Sequence, residues 1–156
     1  MVGYMVTWTT YGTWLQGDEM GYVKDGKVLG ANDKLEAANR EIQKFDKSVL
    51  SKMERAVVED AIISAGKLTG HQLCAIAVCS NHVHIAARVS DDAIEKVVMR
   101  YKNMATIKLK QVGRVGKIWT KGFDKRFCFN DNDLSKRVDY IINENDGRET
   151  LGWRSE

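Results

Sequence analysis

The 156-residue chain lacks the features that mark membrane-spanning, secreted and disulfide-rich proteins. It contains no apolar run long enough to span a bilayer, so no transmembrane helix is expected. Its N-terminus has no charged region followed by a long apolar core, which predicts that there is no signal peptide. Its three cysteines are odd in number and form no Cys-x-x-Cys pair, which argues against a disulfide framework or a zinc ribbon. We therefore expect a cytoplasmic protein with free thiols.

The chain also lacks a strong net charge, but its basic residues are unevenly distributed. The net charge of +3 makes the field of the whole protein a weak argument for nucleic-acid binding. The segment of residues 100–126, however, contains nine basic residues and only one acidic residue, Asp124. Such a patch suits a phosphate backbone, and the alternative is a solvated helix face followed by a basic turn. The candidate phosphate contacts are Lys102, Lys117, Lys121, Lys125 and Arg126.

Aromatic residues are interleaved with the end of this basic segment. Trp119, Phe123 and Phe127 could stack on unpaired bases. The alternative is that alternate aromatic residues of a strand belong to the core, which must hold for at least half of them.

The composition and the periodicity of the chain predict one domain of mixed structure. Its apolar content of 44% and charged content of 29% are ordinary for a globular protein, so residues 1–156 are expected to form a single domain. Strands are predicted at residues 4–11, 71–79, 82–89 and 117–129. Helices are predicted after the capping box of Ser51 and Glu54, after Ser90, and after residues 130–133. Residues 12–47 read as an insertion, with a hairpin around Asp25-Gly26 and a short helix at residues 35–43.

The order of these elements predicts an α+β fold. Apart from the insertion, strand, helix, strand, strand, helix and strand follow one another, as in the ferredoxin-like split β-α-β topology. That topology has a four-stranded antiparallel sheet with two helices on one face, and its first and third strands lie in the centre. The last helix, which carries Tyr140, would pack on the open face of the sheet or on its edge.

Two of the three histidines lie one residue apart on the third predicted strand. Because side chains alternate along a strand, His82 and His84 are expected to point to the same face, with Val83 on the other. Two such imidazoles can bind a divalent metal. The alternative is a pair of partly buried, hydrogen-bonded histidines.

Tyr140 and Glu144 lie four residues apart on the last predicted helix, so they share one face of it. If this helix crosses the sheet near the histidines, Glu144 could complete a set of two histidines and a carboxylate, which suits Mg²⁺ or Mn²⁺. Asn143 and Asn145 are alternative third ligands. Tyr140 would then place a phenol beside a metal-bound phosphate, where a cation favours the phenolate. The alternative for Tyr140 is an ordinary surface residue of an amphipathic helix.

Taken together, these motifs resemble the single-tyrosine HUH transposases of the IS200/IS605 group and its REP-associated relatives. The resemblance rests on His82-Val83-His84 with the preceding Ser80-Asn81, on residues 6–11 and 119–127, and on Asp139-Tyr140-Ile141. It extends from about residue 4 to residue 145. The last helix reads Tyr140-Ile141-Ile142-Asn143-Glu144-Asn145, without the histidine and proline of the Tyr-Ile-His-x-Asn-Pro signature usual in the REP-associated branch.

The resemblance implies a transposase that acts as an endonuclease and ligase on single-stranded or hairpin DNA. By position, His82 and His84 would be metal ligands and Tyr140 the nucleophile, which would form a 5′-phosphotyrosine and release a free 3′-OH. The third ligand of the family, often Gln or Asn one turn after the tyrosine, corresponds here to Glu144. The resemblance further implies Mg²⁺ or Mn²⁺ as cofactor, a role in DNA transposition and recombination, and a prokaryotic protein associated with the nucleoid when bound to DNA. Many members of the family are homodimers whose subunits share their sites.

Two other functions fit the same residues. The chain could be a domesticated transposase that binds hairpin or single-stranded DNA without cutting it. Alternatively, His82 and His84 could hold a metal in an enzyme that acts on a small molecule, with no role for the basic segment.

Overall fold

The computed structural model describes residues 1–13, 48–144 and 151–155, without the side chains of Glu144, Leu151 and Gly152. The hairpin predicted around Asp25-Gly26 and the short helix predicted at residues 35–43 lie outside the described residues. In chain order the elements are β1 Gly3–Thr9, α1 Lys52–Thr69, β2 Leu73–Val78, β3 His82–Arg88, α2 Ile94–Gln111, β4 Asp124–Cys128, α3 Asp131–Asp139, a π-helix Tyr140–Glu144 and β5 Leu151–Arg154.

The protein has an α+β fold whose described strands form one antiparallel sheet in the order β4-β1-β3-β2-β5. The central positions of β1 and β3 confirm the prediction made from the order of elements. The prediction of four strands was wrong, because residues 151–154 pair with β2 and add a fifth. This short segment has only Leu151 and Trp153 as apolar residues, which is too little alternation to mark a strand in the sequence.

Helices α1 and α2 cover one face of the sheet and form the larger core with it. Tyr4, Val6 and Trp8 point into this core from β1, and Val83 and Ile85 do so from β3. The intervening residues of both strands must therefore face the opposite side of the sheet.

The larger core contains one buried histidine, which links the sheet to α2. The ring of His71 forms hydrogen bonds with the hydroxyl groups of Tyr4, at 3.0 Å, and Tyr101, at 2.5 Å. Burial lowers the pKa of His71 and raises the pKa of Tyr4 to about 12. His71 is thus a core residue with both ring nitrogens paired, unlike the two histidines of β3.

Helix α3 packs on the other face of the sheet. Its apolar residues Leu134 and Val138, followed by Ile141 of the π-helix, meet Met5 of β1 and Ala86 of β3 in a second core. This confirms that the last helix uses the sheet face left open by α1 and α2. Its packing fixes the position of Tyr140, which directly precedes Ile141.

The helix starts agree with the sequence in two cases out of three. Ser51 and Glu54 form the predicted capping box at α1, and the Asn130 side chain caps α3. The prediction that Ser90 caps α2 was wrong: the N-cap is Ala93, which forms no side-chain cap bond. The carboxylate of Asp92, which precedes the helix, forms an ion pair at 3.0 Å with Arg100 of α2.

None of the helices that the structure describes is long and apolar enough to cross a membrane.

A glycine in β1 allows α3 to approach the sheet. A Cβ atom on Gly3 would lie 2.5 Å from the carbonyl oxygen of Ala87 and 3.1 Å from a methyl group of Leu134. We therefore expect Gly3→Ala to lower the free energy of unfolding by about 1–3 kcal/mol through overpacking. Urea unfolding measures this change. Ser64→Ala on the exposed surface of α1 is the control, and equal stability of the two variants would contradict the close contact.

Candidate active site

The imidazoles of His82 and His84 lie side by side on the sheet face covered by α3. His84 pairs with Thr7 across the β1–β3 ladder and His82 pairs with Thr9, so both are in the middle of the sheet. Their ring centroids are 4.6 Å apart. The predicted common face of the two histidines is therefore confirmed.

Both histidines are held through the same ring atom. The Nδ1 of His84 is 2.7 Å from the hydroxyl oxygen of Thr7, and the Nδ1 of His82 is 2.6 Å from Oδ1 of Asn81. Because an amide oxygen only accepts, Nδ1 of His82 donates this bond and its Nε2 carries a lone pair. Among the residues whose side chains are described, a set that leaves out Glu144, neither Nε2 has a hydrogen-bond partner.

The surroundings of these two rings favour their neutral form. Burial lowers the pKa of His82. Burial, together with the neighbouring His82, lowers the pKa of His84 to about 3. Both imidazoles are therefore uncharged near neutral pH, which is the state in which histidine binds a metal.

Tyr140 lies at the junction of α3 and the π-helix, beside His84. The ring centroids of Tyr140 and His84 are 6.0 Å apart, with the rings nearly perpendicular. The side chain of Tyr140 is 39% exposed, whereas that of Ile141 is buried in the second core. The phenol can thus be reached from solvent, in agreement with the prediction that Tyr140 is not a core residue.

The turn after Tyr140 is a π-helix, and the sequence contains no signal that predicts it. The expectation that Tyr140 and Glu144 share a face assumed α-helical geometry, which does not hold for residues 140–144. The π-helix is rare and often marks functional sites.

The structure leaves the third metal ligand open. Among the residues whose side chains are described, no group of three His, Cys, Asp or Glu residues could hold a metal. The side chain of Glu144 and the whole of Asn145 lie outside the described residues, and Asn143 is exposed.

The predicted basic residues do not form one continuous patch. The ammonium group of Lys102 donates to the carbonyl oxygens of Thr120, at 3.0 Å, and Gly122, at 2.6 Å. Burial lowers its pKa. Lys102 therefore fastens the loop before β4 to α2.

The basic residues of β4 lie on opposite faces of that strand, because they are consecutive. Lys125 forms an ion pair at 3.3 Å with Glu95 in the first turn of α2. Arg126 forms one at 3.1 Å with Asp124 of its own strand. Lys117 lies over the ring of Tyr11, and Lys121 is exposed.

The aromatic residues near the basic segment have separate roles. Trp119 is buried edge-on against Trp8, and its Nε1 donates to the Thr106 hydroxyl at 3.0 Å, which favours the core alternative for this residue. Phe123 is partly buried against the larger core. Phe127 is 42% exposed, and the ammonium group of Lys125 lies 5.7 Å from its ring centroid.

Sequence reasoning missed Thr7 and Asn81 as supports of the two histidines. Asn81 adjoins His82, so its position was a usable signal. Thr7 becomes visible only once the pairing of β1 with β3 is known.

The described fold is similar to that of a solved REP-associated tyrosine transposase bound to a REP hairpin. The similarity covers 90% of this chain and 64% of that chain, with a TM-score of 0.53 and 16% sequence identity. This chain thus spans under two thirds of its neighbour's length, and at this identity the similarity shows the fold alone. No protein-family model and no curated protein matches the chain.

The buried, neutral state of His84 should make the protein less stable in acid. In the unfolded chain, His84 is protonated as the pH falls below its ordinary pKa of 6.5. In the folded chain, the same residue stays neutral until about pH 3. Stability should thus be complete above pH 6.5 and fall as the pH decreases, by up to about 1.4 kcal/mol per pH unit for this residue.

Urea unfolding between about pH 7 and pH 5 measures this slope. His84→Gln should give a shallower slope than the unchanged chain, although His71 and His82 contribute in the same direction. Equal slopes for the two proteins would contradict the lowered pKa of His84.

Proposed function

We propose that this chain is a metal-dependent DNA endonuclease and ligase that uses Tyr140 as its nucleophile in DNA transposition or recombination. The observation that carries the proposal is an exposed phenol beside two neutral imidazoles, with the ring of Tyr140 6.0 Å from that of His84. The similarity of the fold to that of a tyrosine transposase bound to a hairpin supports it.

The residues present fit a divalent cation. His82 and His84 are adjacent and neutral, each is oriented through Nδ1, and the described side chains leave the Nε2 of each without a hydrogen-bond partner. Such outer hydrogen bonds are typical of metal-binding histidines. We assign the two histidines to Mg²⁺ or Mn²⁺, with Glu144, Asn143 or Asn145 as third ligand. When bound, the cation would neutralise phosphate charge and favour the phenolate.

The covalent step belongs to Tyr140. Its phenolic oxygen attacks the phosphorus of a phosphodiester, its proton passes to solvent, and the 3′-oxygen of the preceding nucleotide leaves as a 3′-OH. The product is a 5′-phosphotyrosine, in which a new phosphodiester bond to the tyrosine replaces the one that was cleaved. Attack by another 3′-OH reverses the step and joins strands without an oxidant or a nucleotide cofactor.

The DNA substrate is proposed to be single-stranded or to form a hairpin. Lys117 and Lys121 have no anionic partner among the described residues, so they are the simplest phosphate contacts of the predicted set. Lys102, Lys125 and Arg126 would have to exchange or share their present partners in order to contact DNA. A homodimer with shared sites remains part of the proposal.

The covalent intermediate gives the first test. Purified protein is incubated with Mn²⁺ and labelled hairpins that carry single-stranded flanks, and the products are separated on a denaturing gel. We expect a labelled band of protein size that Tyr140→Phe abolishes, because phenylalanine has no nucleophilic oxygen. Tyr11→Phe, which removes a phenol after the end of β1, should retain the band.

The outcomes of this test separate the candidate functions. Absence of the band with retained gel-shift binding would replace the proposal by a DNA-binding protein that does not cut. Absence of both the band and DNA binding, with Mn²⁺ still bound by His82 and His84, would point to an enzyme acting on a small molecule.

The metal assignment has its own test in the hydrogen bond between Thr7 and His84. Thr7→Val removes the hydroxyl that orients His84, so we expect Mn²⁺ affinity to fall by about 10–100-fold in isothermal titration calorimetry. The matched control is Thr9→Val, since the hydroxyl of Thr9, opposite His82 in the ladder, donates to the carbonyl oxygen of Thr13 and not to either histidine. Equal affinities of the two variants would remove Thr7 from the proposed metal site.

A further inference from the structure

A groove of about 640 Å³ leads to Tyr140 along the outer side of α3. Phe127 of the edge strand β4 lines one side of it, and α3 lines the other. Helix α3 contributes Asp133, Lys136, Arg137 and Asp139, and the π-helix contributes Tyr140. The proposed nucleophile is therefore part of the groove lining.

The charged residues of this groove differ in whether they already have partners. Asp139 pairs with Arg154 at 2.6 Å, and the carboxylate of Asp133 accepts from the backbone N–H of Phe129 at 3.2 Å. Lys136 and Arg137 form no ion pair or hydrogen bond within the described part of the chain. Asp139 is neutralised by Arg154, which leaves the two unpaired cations Lys136 and Arg137 against the single carboxylate of Asp133, so the groove is net positive.

The free cations lie at a useful distance from the nucleophile. Arg137 precedes Tyr140 by three residues and Lys136 precedes it by four, which places both about one helical turn, or about 5.4 Å along the axis, before the phenol. This is the scale on which successive phosphates follow one another along a nucleic-acid strand. A strand with one phosphate at Tyr140 would bring its neighbouring phosphates to Lys136 and Arg137.

We propose that this groove binds the single DNA strand that is cut, with Lys136 and Arg137 holding the phosphates next to the one that Tyr140 attacks. Phe127 adds to the lining from β4, although its ring lies on the sheet face of Tyr4, where Lys125 is 5.7 Å from the ring centroid. The proposal rests on the proposed function and adds the path of the strand. It names two positioning residues outside the basic segment of residues 100–126.

The test measures binding separately from cleavage. All proteins carry Tyr140→Phe, so that no strand is cut. Fluorescence anisotropy follows a labelled single strand of about 12 nucleotides, a length typical of small single-strand sites. Lys136→Gln/Arg137→Gln is compared with Lys108→Gln/Lys110→Gln, which removes the same charge from α2 on the other side of the sheet.

Loss of two phosphate contacts should weaken binding at least about tenfold at low salt and reduce the slope of log K against log salt by about 1.4. The α2 variant should change both quantities much less. Lys136→Arg/Arg137→Lys keeps the charges and should restore most of the affinity. Thermal unfolding of each protein shows whether the fold is intact.

Equal losses in the groove variant and the α2 variant, or no binding of the strand by the parent protein, would overturn the groove assignment. A loss confined to a duplex stem of the same sequence would also overturn it, because the groove would then bind a double helix. In each of these cases, a covalent band formed by the protein that retains Tyr140 would still support the proposed function. Conversely, a groove that binds the strand in a protein without the covalent band would separate binding from cutting.

Discussion

The packing of α3 on the central strands is the constraint on which the candidate site depends. Leu134, Val138 and Ile141 are buried against Met5 of β1 and alanines of β2 and β3, and this packing places Tyr140 beside His84. Burial of three aliphatic side chains contributes several kcal/mol, on the order of 1.5–3 each. By comparison, the exposed Arg154–Asp139 pair at the end of α3 contributes about 1 kcal/mol or less. Apolar packing, and not surface charge, therefore positions the phenol.

The two faces of the sheet have different roles: one forms the larger core and the other carries the candidate site. The face covered by α1 and α2 forms the larger, mainly apolar core, in which the ring of His71 is paired on both nitrogens, and it supplies stability. On the other face, against which α3 packs, His84 is buried while Tyr140 beside it is 39% exposed. There the imidazoles are buried enough to remain neutral while the phenol stays exposed. A site for charged substrates needs this combination, since complete burial would exclude the substrate and complete exposure would protonate the histidines more readily.

The sequence predicted those features that depend on local pattern. Alternation along β3 was enough to place His82 and His84 on one face, and the spacing of Ser51 and Glu54 was enough to place the start of α1. The features that it did not predict depend on partners distant in the chain. Lys102 and Lys125 looked like free cations because Gly122 and Glu95 are not their neighbours in sequence. Thr7 similarly became part of the site through strand pairing, and β5 became a strand only because β2 offered it an edge.

The π-helix after Tyr140 changes how insertions and deletions would act on this protein. A continuous α-helix advances about 100° per residue, so a turn that accommodates one additional residue shifts the angular phase of the residues that follow it. Removing one residue from positions 142–144 could restore a regular helix while re-aiming every side chain beyond Tyr140. Related chains that differ by one residue in this turn would then present a different side chain to the candidate site at the same point in space. In such chains a sequence alignment without a gap would pair residues that are not structurally equivalent.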